Sequence, residues 1–163
     1  SIVLLSEQDR SKWNRELIRM GSYYLNLSSK GNVLSVYHIE SAIAAEHALA
    51  ERFENTNWKR LLQLYDLLLK VKPSPMIELN RAVVLAEIGH IQAAIETIHS
   101  IQKIDQLLNS HYIYSAVLGD FYKRINDHEK ATEYLLEAFR LTTSDAEKRL
   151  ITKKLEEVTN EIP

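Results

Sequence analysis

Three residue types are scarce in this chain of 163 residues: it has no cysteine, four glycines and three prolines. The missing cysteines exclude a disulfide framework, a thiolate nucleophile and a zinc site with cysteine ligands. The shortage of glycine and proline argues against β-sandwiches and β-barrels, which need turn residues about every 8–12 positions. We therefore expect long regular elements joined by few tight turns.

The sequence also lacks a long apolar run and a strong excess of charge. No stretch approaches the roughly 18 apolar residues of a membrane span, and no secretion signal is visible, so we expect no membrane contact and a cytoplasmic location. The net charge of −2 does not favour binding of the whole chain to nucleic acid. Because the first residue is Ser1 rather than Met, we expect the chain to be a piece of a longer protein.

Helical spacing of apolar residues runs along nearly the whole chain. Trp13, Leu17 and Met20, for example, recur on one face of a predicted helix that Ser6 can cap. Polar loops, a proline and a glycine divide the chain into eight predicted helices. These cover about residues 7–27, 36–54, 58–71, 75–88, 91–103, 110–125, 127–141 and 144–163.

Eight helices joined by short loops indicate an all-α protein of stacked antiparallel helical hairpins. We expect a single domain, 1–163, with the form of a tetratricopeptide-like superhelix of about eight helices. Its parts are an N-terminal helical pair at 1–56, repeat-like hairpins at 57–143 and a capping helix at 144–163. The alternative is an irregular helical bundle.

A degenerate internal repeat favours the tetratricopeptide form. Leu118-Gly119 followed by Tyr122 begins its signature, and Asn126 stands where a turn glycine is usual. One apolar spacing of four and three residues then occurs three times, at offsets that bracket the roughly 34-residue period. These positions are Leu61, Tyr65 and Leu68; Ala94, Ile98 and Ile101; and Ala131, Leu135 and Ala138.

Charge is unevenly distributed between two neighbouring predicted helices. Residues 36–54 carry four glutamates against one arginine, whereas residues 57–72 carry four cations against one aspartate. Antiparallel helices of opposite sign attract each other modestly. We expect the two helices to pair without any outside ligand.

No constellation of catalytic or metal-ligating residues is present in the sequence. No two of the six histidines are spaced i, i+4 on one helix, and there is no His-Glu-x-x-His string. There is also no Gly-x-Ser-x-Gly elbow, and four scattered glycines cannot form a phosphate-binding loop. We therefore expect a protein that is not an enzyme and binds no metal or cofactor.

Four ordered strings are more specific than the helical spacing. They are Gln8-Asp9-Arg10-Ser11-Lys12-Trp13; Ala42-Ile43-Ala44-Ala45-Glu46-His47; Asn57-Trp58 with Leu64-Tyr65-Asp66; and Pro73-Ser74-Pro75 followed by Leu79-Asn80-Arg81-Ala82-Val83. Together they resemble the tetratricopeptide-like C-terminal domain of a subgroup of extracytoplasmic-function (ECF) RNA polymerase sigma factors. The resemblance covers nearly the whole chain.

This resemblance implies a longer protein whose sigma regions 2 and 4 precede the chain and bind core polymerase and promoter DNA. Those regions are absent from the sequence, and no helix-turn-helix with a basic recognition helix is visible. The chain would then be a regulatory module that modulates transcription initiation through protein contacts. The implied partners are the sigma regions of the same chain, core polymerase or a regulatory protein, with promoter DNA reached only through the upstream regions.

The candidate interaction residues fall in three groups. Asp9, Arg10 and Trp13, in the first string, are candidates to dock a partner. The alternative is that Asp9 is a cap, Arg10 pairs with a nearby acid and Trp13 packs in the interior. Asn80 and Arg81 lie on a helix of the type that lines the groove of tetratricopeptide folds, where an amide binds a peptide backbone and a guanidinium binds a carboxylate. The alternative is a buried Asn80 with Arg81 bracing a neighbouring helix.

The third group lies on the corresponding helix of the last repeat. Asp120 and Lys123 are expected to face the same groove.

Two other functions remain open. One is a free-standing tetratricopeptide scaffold or adaptor. The other is a small-molecule sensor or hydrolase with a site among the histidines.

Overall fold

The structure is a computed structural model that describes residues 35–50 and 53–161. The predicted first helix, with Asp9, Arg10 and Trp13, lies outside these residues. The described residues are helical and contain no β-strand, which confirms the all-α class. The helices are α1 (Val36–Leu49), α2 (Trp58–Val71), α3 (Pro75–Ile88), α4 (Ile91–His99), α5 (Ile104–Ser110), α6 (Tyr112–Arg124), α7 (His128–Leu141) and α8 (Asp145–Glu161), with a 3₁₀ turn at Phe53–Asn55.

These helices belong to two compact units. Helices α1 to α3 lie in the first unit, which ends at Ile88, and α4 to α8 lie in the second, which begins at Gly89. No helix within the described ranges is long and apolar enough to cross a membrane.

Helices α1, α2, α7 and α8 begin after residues whose side chains accept from free backbone N–H groups. Ser35 Oγ accepts from the His38 N–H at 3.2 Å, and His38 Nδ1 accepts in return from the Ser35 N–H. Asp127 Oδ1 accepts from the Lys130 N–H at 3.1 Å at the start of α7. Ser35 and Asp127 are thus the N-caps of α1 and α7, as serine and aspartate favour that position.

Gly89 and Asn126 both have positive φ in the turns that they form. Gly89 follows α3 with φ of 103°, as predicted for the residue after a helix end. Asn126 has φ of 61° in the turn between α6 and α7. Asparagine tolerates this conformation better than most residues, which explains how it replaces the usual glycine.

Two predicted helix ends are wrong. The helix expected at 91–103 ends at His99, because Lys103 adopts a left-handed φ of 62° and a separate helix, α5, follows it. The helix expected at 36–54 ends at Leu49, since Ala50 is extended. Ala50 is buried, and Ile101 between α4 and α5 is buried too, so packing at both places favours the turn over another helical turn.

In the first unit α2 packs between α1 and α3. Leu61, Leu64 and Leu68 form one buried cluster with Ile39 of α1 and Val84 of α3. Glu46 near the end of α1 pairs with Arg60 near the start of α2, and Glu40 pairs with Lys72 just after α2, so the two helices are antiparallel.

The repeat positions have the same environment in all three copies. Each is at most 3% exposed, and the nine residues are Leu61, Tyr65, Leu68, Ala94, Ile98, Ile101, Ala131, Leu135 and Ala138. Helices α6 and α7 cross so closely that a Cβ on Gly119 would lie 2.7 Å from Leu135 Cγ. Gly119 of the repeat signature therefore lies where the two helices cross.

Candidate functional site

The third and fourth sequence strings meet across the α2–α3 hairpin. Arg81 Nε of α3 donates to Asp66 Oδ1 of α2 at 2.6 Å. The Arg81 side chain is 28% exposed, so part of it is enclosed between the helices. The pair joins the last residue of Leu64-Tyr65-Asp66 to the third residue of Leu79-Asn80-Arg81.

The second and third strings also meet, across the α1–α2 hairpin. The edge of the His47 ring approaches Trp58 at a centroid distance of 6.2 Å in a T-shaped arrangement. One residue away on α1, Glu46 Oε1 lies 3.8 Å from Arg60 Nε. Burial raises the pKa of Glu46, and the Arg60 charge partly opposes that shift. The predicted attraction between the two helices is therefore present as individual ion pairs.

Asn80 and Tyr65 are buried polar residues that precede Arg81 and Asp66, respectively. Asn80 is 4% exposed. Among the described residues, its Oδ1 accepts no hydrogen bond, and the Tyr65 hydroxyl likewise has no hydrogen-bond partner. Burial raises the pKa of Tyr65, because the phenolate loses its hydration. Asn80 thus lies in the interior and Arg81 braces α2. Their role in binding a partner stays a prediction.

Asp120 and Lys123 pair with the last helix. Lys154 Nζ of α8 donates to Asp120 Oδ1 at 2.9 Å, and Arg124 lies 3.0 Å from the other oxygen. Lys123 Nζ is 3.1 Å from Glu157 Oε2. Both members of the Asp120–Lys154 pair are less than one-fifth exposed, so these charges hold α8 against α6.

A cluster that the sequence reasoning missed connects α4 to the α6–α7 hairpin. His99 Nε2 and the Tyr122 hydroxyl are hydrogen bonded at 3.0 Å. The Tyr122 and Tyr134 rings stack nearly parallel with centroids 5.5 Å apart, and Lys130 Nζ lies 5.1 Å from the centre of the Tyr122 ring. Tyr122 and Lys130 were recognisable as helix residues, but no local spacing indicates that His99 reaches them.

The charge state of this cluster depends on its surroundings. Burial and the Lys130 ammonium lower the pKa of His99, and Asp105 opposes them. Burial, together with Tyr122 and the nearby carboxylates, raises the pKa of Tyr134. His99 is therefore favoured in its neutral form.

Two shallow, open depressions adjoin each other on the outward face of α8, and all the residues that line them belong to this helix. Within residues 35–50 and 53–161, no group of three or more histidine, aspartate or glutamate residues is placed to hold a metal ion.

Comparison with known proteins gives one informative similarity. The chain is 30% identical over 161 residues to an uncharacterized protein of Rhizobium meliloti (strain 1021). The match covers 99% of this chain but only 37% of that protein, so the chain spans little more than a third of its relative. No family model matches the chain, and no solved structure matches it.

Proposed function

We propose that the chain is the C-terminal regulatory module of an ECF-type sigma factor and modulates transcription initiation through protein–protein contacts. The observation that carries the proposal is the contact between the third and fourth strings, made by Asp66 and Arg81 at 2.6 Å. Short strings taken one at a time match by chance. Strings whose residues bind each other belong to one folded unit and support the resemblance as a whole.

The second string is part of the same unit. His47 packs against Trp58, and Glu46 pairs with Arg60, so the second string is fastened to the residues of the third. Three of the four strings named in the resemblance are therefore connected side chain to side chain. This favours a shared hairpin scaffold over a coincidence of composition.

The repeat hairpins support a role in binding protein. Stacked hairpins of the tetratricopeptide kind offer extended surfaces on rigid helices, and such surfaces are used to hold segments of other proteins. The proposed partners are the sigma regions of the same chain, core polymerase or a regulatory protein. The similarity to 37% of a longer relative is in keeping with a place inside a longer protein.

The test is a transcription assay in the organism of origin. Residues 1–163 are deleted from the parent protein, and expression from its target promoter is compared with wild type. The matched control is Lys59→Glu with Lys70→Glu, two cations of α2 whose side chains make no ion pair or hydrogen bond within the part of the chain that the structure describes. We expect the deletion to change promoter activity and the control to leave it unchanged. Equal activity of deletion and wild type under every condition would contradict the proposal.

Two other observations would favour one of the alternative functions. A start codon immediately before Ser1, with no sigma regions in the gene, would favour a free-standing scaffold. A stoichiometric metal ion in the purified protein, or a small molecule that raises its melting temperature, would favour the sensor or hydrolase.

A further inference from the structure

The outward face of α8 carries three cations: Lys148 and Arg149 are adjacent in sequence, and Lys153 lies one turn after Arg149. We refer to these residues and Thr152 as the α8 cationic face. One cavity on this face is lined by Asp145, Lys148, Arg149, Thr152, Lys153 and Glu156. The second shares Thr152 and Glu156 with the first and continues to Asn160. The two therefore form one open patch along the exposed side of the helix.

Arg149 and Lys153 are not held by carboxylates of the described residues. Lys154, Lys123 and Arg140 of the same unit are held in this way. Within residues 35–50 and 53–161, the side chains of Arg149 and Lys153 make neither an ion pair nor a hydrogen bond. Like charges four residues apart on a helix repel each other, and Asp145 and Glu156, one turn beyond each cation, offset part of that repulsion. An anion between Arg149 and Lys153 would remove the rest.

An apolar strip lies next to the cationic face. Phe139 and Leu136 of α7 are 39% and 54% exposed, and they are neighbours on the same side of the helix. Lys148 Nζ lies 5.4 Å from the centre of the Phe139 ring, which makes the strip and the cationic face continuous. A ligand of this surface would meet apolar and cationic groups side by side.

We propose that the α8 cationic face and the Leu136–Phe139 strip together bind an amphipathic acidic helix of a protein partner. Two carboxylates one turn apart on that helix would pair with Arg149 and Lys153, while its apolar side covers the strip. The inference rests on the proposed protein-binding role of the chain, but not on its assignment to a sigma factor.

The charges on the α8 cationic face favour a protein over a nucleic acid as its ligand. Asp145 and Glu156 lie at the two ends of the cationic run and line the same cavity. A continuous polyphosphate would be repelled by both, whereas a protein helix can place cations opposite them.

The experiment begins with the full parent protein in its own cells. A photo-crosslinking amino acid replaces Thr152, and the same residue in place of exposed Gln63 on α2 is the control. Mass spectrometry identifies the peptide that is joined to position 152. We expect a peptide with alternating apolar and acidic residues that the control position does not capture.

The second step uses purified chain and a fluorescent synthetic copy of that peptide. We expect Arg149→Glu with Lys153→Glu to weaken binding by about tenfold or more, because two charge pairs become repulsive. Leu136→Ser should weaken it through the apolar strip alone. Lys59→Glu with Lys70→Glu should have no effect. Changing the acidic residues of the peptide to lysine should restore binding to the doubly reversed variant.

Four results would overturn the inference. They are no crosslink above the control, a crosslink to nucleic acid, a crosslink only to α8 of a second copy, and peptide binding that charge reversal does not alter. Circular dichroism of each variant checks that it is folded. Because promoter activity is not the readout, this outcome is independent of the deletion assay.

Discussion

Arg81 and Asp66 are fifteen positions apart in sequence and hydrogen bonded at 2.6 Å across the α2–α3 hairpin. Each follows a buried polar residue, Asn80 on α3 and Tyr65 on α2. The most distinctive string of the sequence thus supplies a structural contact as well as candidate binding residues. Because Arg81 Nε already donates to Asp66, that N–H group is not available to a binding partner unless the pair breaks.

Removal of this pair should cost a modest amount of stability. Both side chains are partly solvated, so we expect Arg81→Ala and Asp66→Ala each to lower the free energy of unfolding by about 0.5–1 kcal/mol. A double-mutant cycle measured by urea unfolding should show that the double variant loses much less stability than the sum of the losses in the two single variants. The more exposed Glu40–Lys72 pair, at 3.5 Å, is the control and should show a smaller coupling. Additive losses at Asp66 and Arg81 would mean that the contact contributes nothing.

The close crossing of α6 and α7 predicts an unusual result for Gly119→Ala. Alanine favours a helix interior over glycine by about 1 kcal/mol, but its Cβ would lie 2.7 Å from Leu135 Cγ. Because overpacking costs about 1–3 kcal/mol, we expect a net loss of stability or at best no gain. The change in stability is measured by thermal unfolding, with circular dichroism as the signal. A clear rise in melting temperature would show that the helices cross less tightly.

Asp120 should matter more than an exposed carboxylate. It is paired with both Lys154 and Arg124, and its side chain is only 13% exposed. Asp120→Ala leaves the enclosed Lys154 ammonium without an anion, so we expect a loss of about 2–4 kcal/mol in urea unfolding. Lys154→Met, which keeps the apolar stem and removes the charge, should cost less. Equal losses for both variants would contradict the argument from an uncompensated charge.

The His99 cluster predicts a loss of stability in acid. The pKa of His99 in the folded protein is lowered from the ordinary 6.5, so His99 of the unfolded chain takes up a proton first as pH falls. The contribution of neutral His99 to folding stability is complete above the pKa of His99 in the unfolded chain. It decreases as pH falls through the pKa of His99 in the folded protein. We expect the stability difference between wild type and His99→Gln to shrink from about pH 7.5 to about pH 5.5. A difference that is constant, or larger in acid, would contradict this.

Much of the fold could be predicted because it depends on local chemistry. Apolar spacing placed α2, α3 and α7 within one residue of their observed ends, and Ser35 and Asp127 were identifiable as caps from residue type alone. The break at Lys103 could not be predicted, since lysine has no preference for left-handed backbone and tertiary packing imposes it.

The candidate site shows the same limit. The sequence singled out Arg81, Asp120 and Lys123 by position, but their partners Asp66, Lys154 and Glu157 depend on how helices pack. His99 lies 23 positions before Tyr122, and no periodic pattern connects residues so distant. Contacts between helices therefore had to come from the structure.

The proposed regulatory function is tested most directly by run-off transcription with purified components. The parent protein, with and without residues 1–163, is added to core RNA polymerase and a template with its target promoter, and the amount of transcript is measured. We predict that both proteins direct specific initiation and that removal of residues 1–163 changes its level. Identical transcript levels across salt and temperature, or no promoter-specific transcript from the intact parent, would contradict the proposal.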